Sequence, residues 1–250
     1  MAAGENLTLL GGTVVNTGTL HAPGGQITVA AIPGSQRVRL NHANMVLGLE
    51  IAPWQGATAL PTAQSLPQLL TGGAVSAATG LSVDPDGTVR LSSGEAIASN
   101  PGTTMIAGTV DASLVGATGG QVLATGDRVE LREANIDVYG TGGTATLTAT
   151  NDLTITESQI RTGGDLTLLA ETVQIQDTAA TPIGLQAGDS LTIEGTDAVE
   201  IFALNHPGSG FYANADMVLR SSQRVQGDAN FWSGGNFRIE QLNGDLGGLV

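Results

Sequence analysis

The chain contains no cysteine and no lysine, and its aromatic content is 3%. The missing cysteine excludes a disulfide scaffold and any thiolate metal site, and leaves the redox compartment open. All nine basic residues are arginine, against 23 acidic residues, for a net charge of −14. A chain this acidic, with no basic patch, has nothing to neutralise phosphates, so nucleic acid is not an expected partner. The same deficit argues against a polybasic anchor to an anionic membrane. No apolar run reaches the roughly 18 residues of a spanning helix. The opening MAAGENLTLLGG has neither the basic region nor the continuous apolar stretch of a signal peptide. Either a cytoplasmic protein or a piece of a longer chain is expected on that ground.

Glycine, in contrast, is abundant: 36 of 250 residues, about twice the usual share of roughly 7%. Many occur in pairs, at 11–12, 24–25, 72–73, 119–120, 142–143, 163–164, 234–235 and 247–248. A phosphate-cradling loop occurs once or twice in a domain. A glycine corner used this often is architecture.

The segments after the corners recur as well. Gly163-Gly164 leads to Asp165-Leu166-Thr167-Leu168, and Gly234-Gly235 to Asn236-Phe237-Arg238-Ile239. Gly24-Gly25 leads to Gln26-Ile27-Thr28-Val29, and looser copies start at Asp189 and Asp216. The shared template is corner, polar, apolar, variable, apolar. Its first apolar position falls at Val122, Ala145, Leu166, Leu191, Met217 and Phe237, with successive differences of 23, 21, 25, 26 and 20. Short alternating strands at such a period are the signature of a solenoid. In residues 142–162 the segments TATLTAT, DLTIT and SQIRT supply three short strands, one for each face of a coil. The expected fold is all-β, a right-handed parallel β-helix. Six coils stacked at strand spacing would make a rod on the order of 30 Å long. With so few aromatics, its core must come from Val, Ile, Leu and Ala.

Prolines 33, 53, 61 and 67 interrupt this pattern. The sequence SLPQLLTGG (65–73) has the N-cap, first-turn proline and closing glycine of a short helix. Leu81–Val83 and Val89–Leu91 flank Asp84-Pro85-Asp86-Gly87 as a hairpin would. The expectation is one domain over 1–250, with first coils in 1–32, a lateral proline-rich excursion in 33–105 and regular coils in 106–250. The end, LNGDLGGLV, offers no obvious capping element, so an open strand edge is expected on the last coil.

The blocks GGTVVNTGTLHAPGGQITVAA (11–31), RVRLNHANMVLGLEI (37–51), LPQLLTGG (66–73), GTVRL (87–91) and GTVDASLVGATGGQVLATGDRVELREANIDVYGTGG (108–143), in this order, resemble two-partner-secretion exoproteins of the filamentous haemagglutinin type, in the form common in cyanobacteria. The resemblance spans nearly the whole chain. It implies a secreted or surface-attached β-helical rod that acts in adhesion or aggregation. It also implies a pore-forming outer-membrane transporter as export partner, and a cell-surface glycan or protein as receptor. The family's secretion domain carries NPNG and NTNG turns; here only Asn100-Pro101-Gly102 occurs, so an internal fragment downstream of that domain is expected.

No phosphate loop, zinc-protease helix motif, nucleophile elbow or dinucleotide fingerprint appears, and the calcium-binding GGxGxD repeat is missing. No catalytic, cofactor or metal residues are expected. His21, His42 and His206 stand far apart, and Asp84 and Asp86 read as turn residues. Asp189, Glu194, Asp197 and Glu200 form the densest acidic group, the one feature that would suit a polysaccharide-cleaving β-helix enzyme. Alternation with apolar residues marks them instead as a solvated strand face. Arg128 and Arg132 are expected to pair with Glu130 and Glu133. Phe211-Tyr212 and Phe231-Trp232 lie one repeat apart, at like positions before successive corners. One ring of each pair should point inward. Tyr212 and Trp232 would then form a small outward patch able to contact a glycan. Trp54 is expected to anchor the proline-rich excursion.

Overall fold

A computed structural model describes residues 1–32, 38–40, 49–51, 81–83, 89–91, 96–97 and 102–248. Two parallel sheets dominate. Sheet A has 11 strands and sheet B has seven. The chain alternates between them once per coil, as a parallel β-helix requires. The described residues make seven full coils, and Phe237–Glu240 begins an eighth. No helix occurs among the described residues.

Register between coils is continuous. Leu7, Ile27, Val122, Ala145, Leu166, Leu191, Met217 and Phe237 are successive partners in sheet A. The apolar positions expected from the repeat therefore form one physical column. A second inward column runs Leu20, Val110, Ile136, Ile160, Leu185, Phe211 and Phe231 in sheet B. From Ile27 to Phe211 the members of both columns are buried. Each Leu or Ile kept from water contributes about 1.5–3 kcal/mol. Seven strands at the usual parallel spacing make sheet B about 29 Å long.

Two expectations need correction. The three short strands expected in residues 142–162 are two. Thr144–Thr156 is one continuous strand that bends, with a register shift between Thr148 and Asp152, and Gln159–Thr162 follows in sheet B. The bend folds sheet A into two limbs, so the coil keeps three faces while losing one strand break. Second, the coil resumes before residue 106. Thr103–Ile106 pairs with Val14–Asn16 on one side and with Gln121–Arg132 on the other. It completes the coil that Gln26–Ala31 began. Ile27 and Val122 are in register although far apart in sequence, and without segment 32–101 they would be separated by one ordinary coil. The excursion is thus an insertion within a single coil. Inside it, Leu81–Val83 pairs antiparallel with Val89–Leu91, which is the expected hairpin, and Ala96–Ile97 adds a third strand. Val38–Leu40 and Leu49–Ile51 form a further antiparallel pair. The helix expected in 65–73, Trp54, His42, Asp84 and Asp86 fall outside the described residues.

The polar position of the template also has a job. The side chains of Asn6, Asp165 and Asp216 accept hydrogen bonds from the backbone N–H of Gln26, Ser190 and Asn236, each one coil further on, at 2.9, 3.0 and 2.8 Å. They close the corner, where the sheet ladder has stopped. After the last strand the chain turns back. Gly244, at φ +86°, sits in the turn, and the Gly247 N–H donates to the Ile239 carbonyl at 2.8 Å. The open edge expected on the last coil, at Phe237–Glu240, is thus partly covered by residues 241–247.

Glycine pairs at 142–143 and 163–164 do turn corners, for two different reasons; the pair at 72–73 lies outside the described residues. Gly142 has φ +67°, the left-handed region where a side chain is strained. Gly163 has no such φ. A Cβ there would lie 1.7 Å from the carbonyl oxygen of Gly140 in the coil before. Gly163→Ala should cost roughly 1–3 kcal/mol through this backbone clash. Gly12→Ala, whose Cβ would meet no atom closer than 4.0 Å, should stay within about 0.5 kcal/mol of the parent. Urea titration of the two variants against the parent checks both.

Candidate functional site

Outward residues of sheet B also stack in register. One column runs His21, Asp111, Asp137, Arg161, Gln186, Tyr212 and Trp232 along the whole sheet. None of these pairings carries a register shift of the kind seen in sheet A, so the face is straight. The column is locally paired. His21 Nδ1 lies 3.0 Å from Asp111, and Arg161 donates to Asp137 at 2.7 Å while covering the Tyr139 ring at 4.7 Å. The bond to Asp137 holds the Arg161 guanidinium above its already high ordinary range.

The column ends on the aromatic pair. Phe211 and Phe231 point inward with ring centroids 5.2 Å apart, and Tyr212 and Trp232 point outward, as alternation along a strand demands. The Tyr212 and Trp232 rings are 4.5 Å apart and 3° from parallel, and remain 42% and 48% exposed. Parallel rings at strand spacing stack along the rod axis. Each uses one face on the other and turns its edge to solvent. They therefore do not form a flat two-ring platform. Trp232 belongs to the last strand of sheet B, and its second face has no ring or strand partner among the described residues. Gly210 makes the stack possible. A Cβ there would lie 2.8 Å from Trp232 and 2.9 Å from Tyr212.

Sequence reasoning missed the loop beside this pair. The coils starting at Leu166 and Leu191 are longer than their neighbours, and the extra length lies in 177–183 and 203–209. Asp177, fully buried, holds the second loop. Its carboxylate accepts from Ser209 Oγ at 2.7 Å, from the His206 N–H at 2.8 Å, and from the Asn205 amide at 2.9 Å and backbone N–H at 3.3 Å. Burial alone would raise the Asp177 pKa. Donation from Ser209, His206 and Asn205 outweighs it and holds the carboxyl below its usual range. The longer coil spacings were the available signal, but nothing in the sequence says that Asp177 points in.

The remaining candidates do not converge. Glu194 and Glu200 lie on the two limbs of Leu191–Phe202. Glu194 accepts from Arg220 at 3.1 Å, and Glu200 is paired with Arg224. Asp197 is bonded by Gln223 at the bend. Arg132 does meet Glu130, at 3.4 Å, while Arg128 pairs with Asp152 of the next coil at 3.1 Å and not with Glu130. The His206 ring accepts from the Gly208 N–H at 2.9 Å. No group of three or more His, Asp or Glu among the described residues is placed to hold a metal ion. No family model, curated protein or solved structure matches the chain.

Two outcomes are expected from this geometry. Asp177→Ala should destabilise the chain by on the order of 3 kcal/mol, because it orphans buried donors. With a lowered folded pKa, the contribution of Asp177 is fully present above the unfolded value of about 3.9 and lost as pH falls through the folded value. The melting-temperature gap between parent and Asp177→Ala should therefore hold from pH 7 to about 4 and close below it. Gly210→Ala should part the rings while leaving the coil intact, since only side-chain ends need move. In a Trp54→Phe background, tryptophan fluorescence should shift, with far-UV circular dichroism unchanged.

Proposed function

We propose that this chain is a structural and adhesive rod segment of a large secreted or surface-attached exoprotein of the haemagglutinin type, exported by two-partner secretion. The observation that carries the reading is the in-register stacking of the coils, whose columns continue on both sides of the register shifts at the bends of sheet A. Outward positions of the paired strands repeat at strand spacing, which suits a surface that displays side chains along its length better than one that gathers a few for chemistry. The block order of the sequence supports the same reading. So does the absence of cysteine, which suits passage through an outer-membrane pore. In this reading the export partner is a pore-forming outer-membrane transporter, and the receptor is a cell-surface glycan or protein.

A carbohydrate-directed role is the second reading, and the outward Tyr212–Trp232 pair favours it in its binding form. For the cleaving form, the acidic residues 194 and 200 are each committed to an arginine. Beads coated with the purified chain should adhere to bacterial cells and clump them. Beads that carry folded chain, verified by a β-type circular dichroism spectrum, yet remain dispersed would overturn the adhesive reading. The chain should release no new reducing ends from acidic polysaccharides; release would move it to the enzymes.

A further inference from the structure

The patch formed by Gln186, Tyr212 and Trp232 beside loop 203–209 has a chemistry of its own, and the geometry points to a binding site for a neutral glycan. This deepens the adhesive reading and rests on it.

Three observations carry the assignment. The first is the charge of the patch. Gln186, Tyr212 and Trp232 succeed one another in register, and none is an acidic or basic residue. The rest of the column, from His21 to Arg161, is taken up by the His21–Asp111 contact and the Arg161–Asp137 ion pair. The column thus changes from charged to neutral between Arg161 and Gln186. On a chain of net charge −14, an acidic polysaccharide would be repelled, whereas an uncharged, hydroxyl-rich one would not.

The second is the supply of unengaged groups. The Gln186 side-chain amide is exposed and has no hydrogen-bond partner among the described residues. It offers two donors and an acceptor, the set that sugar hydroxyls match. The second face of Trp232, which no ring or strand covers among the described residues, offers the apolar plane on which the C–H face of a pyranose packs. The self-stack with Tyr212 fixes that plane in place, so little side-chain entropy is lost on binding.

The third is the loop. Residues 203–209 carry the exposed Leu204 near their start and end one residue before Gly210, over which both rings lie. Four hydrogen bonds to one buried carboxylate hold this surface loop rigid. A coil of ordinary length would need neither the loop nor the buried charge. Such an anchored loop beside exposed rings is how a recognition surface is preorganised. The patch is small. Three side chains and one short loop fall short of the roughly 20–30 residues per partner of a stable protein interface, which favours a sugar over a protein.

The test uses the whole chain on columns of immobilised dextran, cellulose, xyloglucan, alginate and pectin, each at low and high salt. Retention is expected on at least one of the three neutral polymers, and high salt should leave it unchanged, since no ion pair is screened. Trp232→Ala should weaken retention about tenfold, the size of one aromatic contact, with the far-UV spectrum unaltered. Gln186→Ala should weaken it less. Asp177→Asn, which touches no ligand, should also weaken it, together with faster hydrogen exchange at residues 203–209. No retention on any neutral polymer, retention confined to alginate or pectin and lost in salt, or retention unchanged by Trp232→Ala would each overturn the site. Coated beads separate this failure from failure of the adhesive reading. Cells clumped equally by parent and Trp232→Ala keep the rod adhesive and remove the site; cells clumped by neither remove both.

Discussion

Each coil of this protein has no core of its own and gains one only by lying in register on the next. A single coil offers a few apolar side chains around one turn and a ring of unpaired backbone groups. Stacked at strand spacing, the same residues form columns such as Ile27 to Met217, and each strand between the two ends of the stack finds ladder partners above and below. Register is the governing constraint, because a slip of one residue would turn each apolar column outward. Closeness of the coils then dictates the glycines. Gly163 is glycine because the backbone of the preceding coil leaves no room for a Cβ.

The same stacking decides what the surface can be. Any outward residue sits above its counterpart, so side chains interact mainly along the rod axis. Glu194, Arg220 and Glu240 are consecutive in one column, and Arg220 bridges the two carboxylates at 3.1 and 2.8 Å. The hydrogen bond with Glu240, then that with Glu194, raises the Arg220 pKa against the opposing cost of burial. Arg161 and Asp137 follow the same logic on sheet B. An exposed pair such as Arg161–Asp137 contributes little, about 0–1 kcal/mol. The effect of such pairs is to keep an acidic rod from repelling itself at its own face. Tyr212 and Trp232 replace an ion pair with a ring stack at the end of that column, and this change of chemistry sets the patch apart.

Departures from the repeat are where the coil has been modified. The insertion 32–101 enters and leaves at one edge of a coil, so the columns on either side never lose register. The longer loops 177–183 and 203–209 lie outside the strands, and Asp177 ties the second down. Both are tolerated because a solenoid needs only its strand segments to coincide, and the connections between them are unconstrained in length.

Periodicity made the coil legible in advance: the positions from Val122 to Phe237 that repeat in the sequence are the partners of one column. The inward and outward split of Phe211-Tyr212 and Phe231-Trp232 was legible too, since alternation along a strand is a property of the backbone alone. Tertiary structure decided the rest. It ran TATLTAT and DLTIT together into one bent strand and resumed the second coil at Thr103. It sent Arg128 to Asp152 in the next coil in place of its neighbour Glu130. It turned the aromatic patch edge-on by stacking its two rings. It also buried Asp177, a residue of no periodic standing, under a loop from the following coil. Local pattern fixes which way a side chain points; which residue from another coil it meets depends on how the coils are laid one upon another.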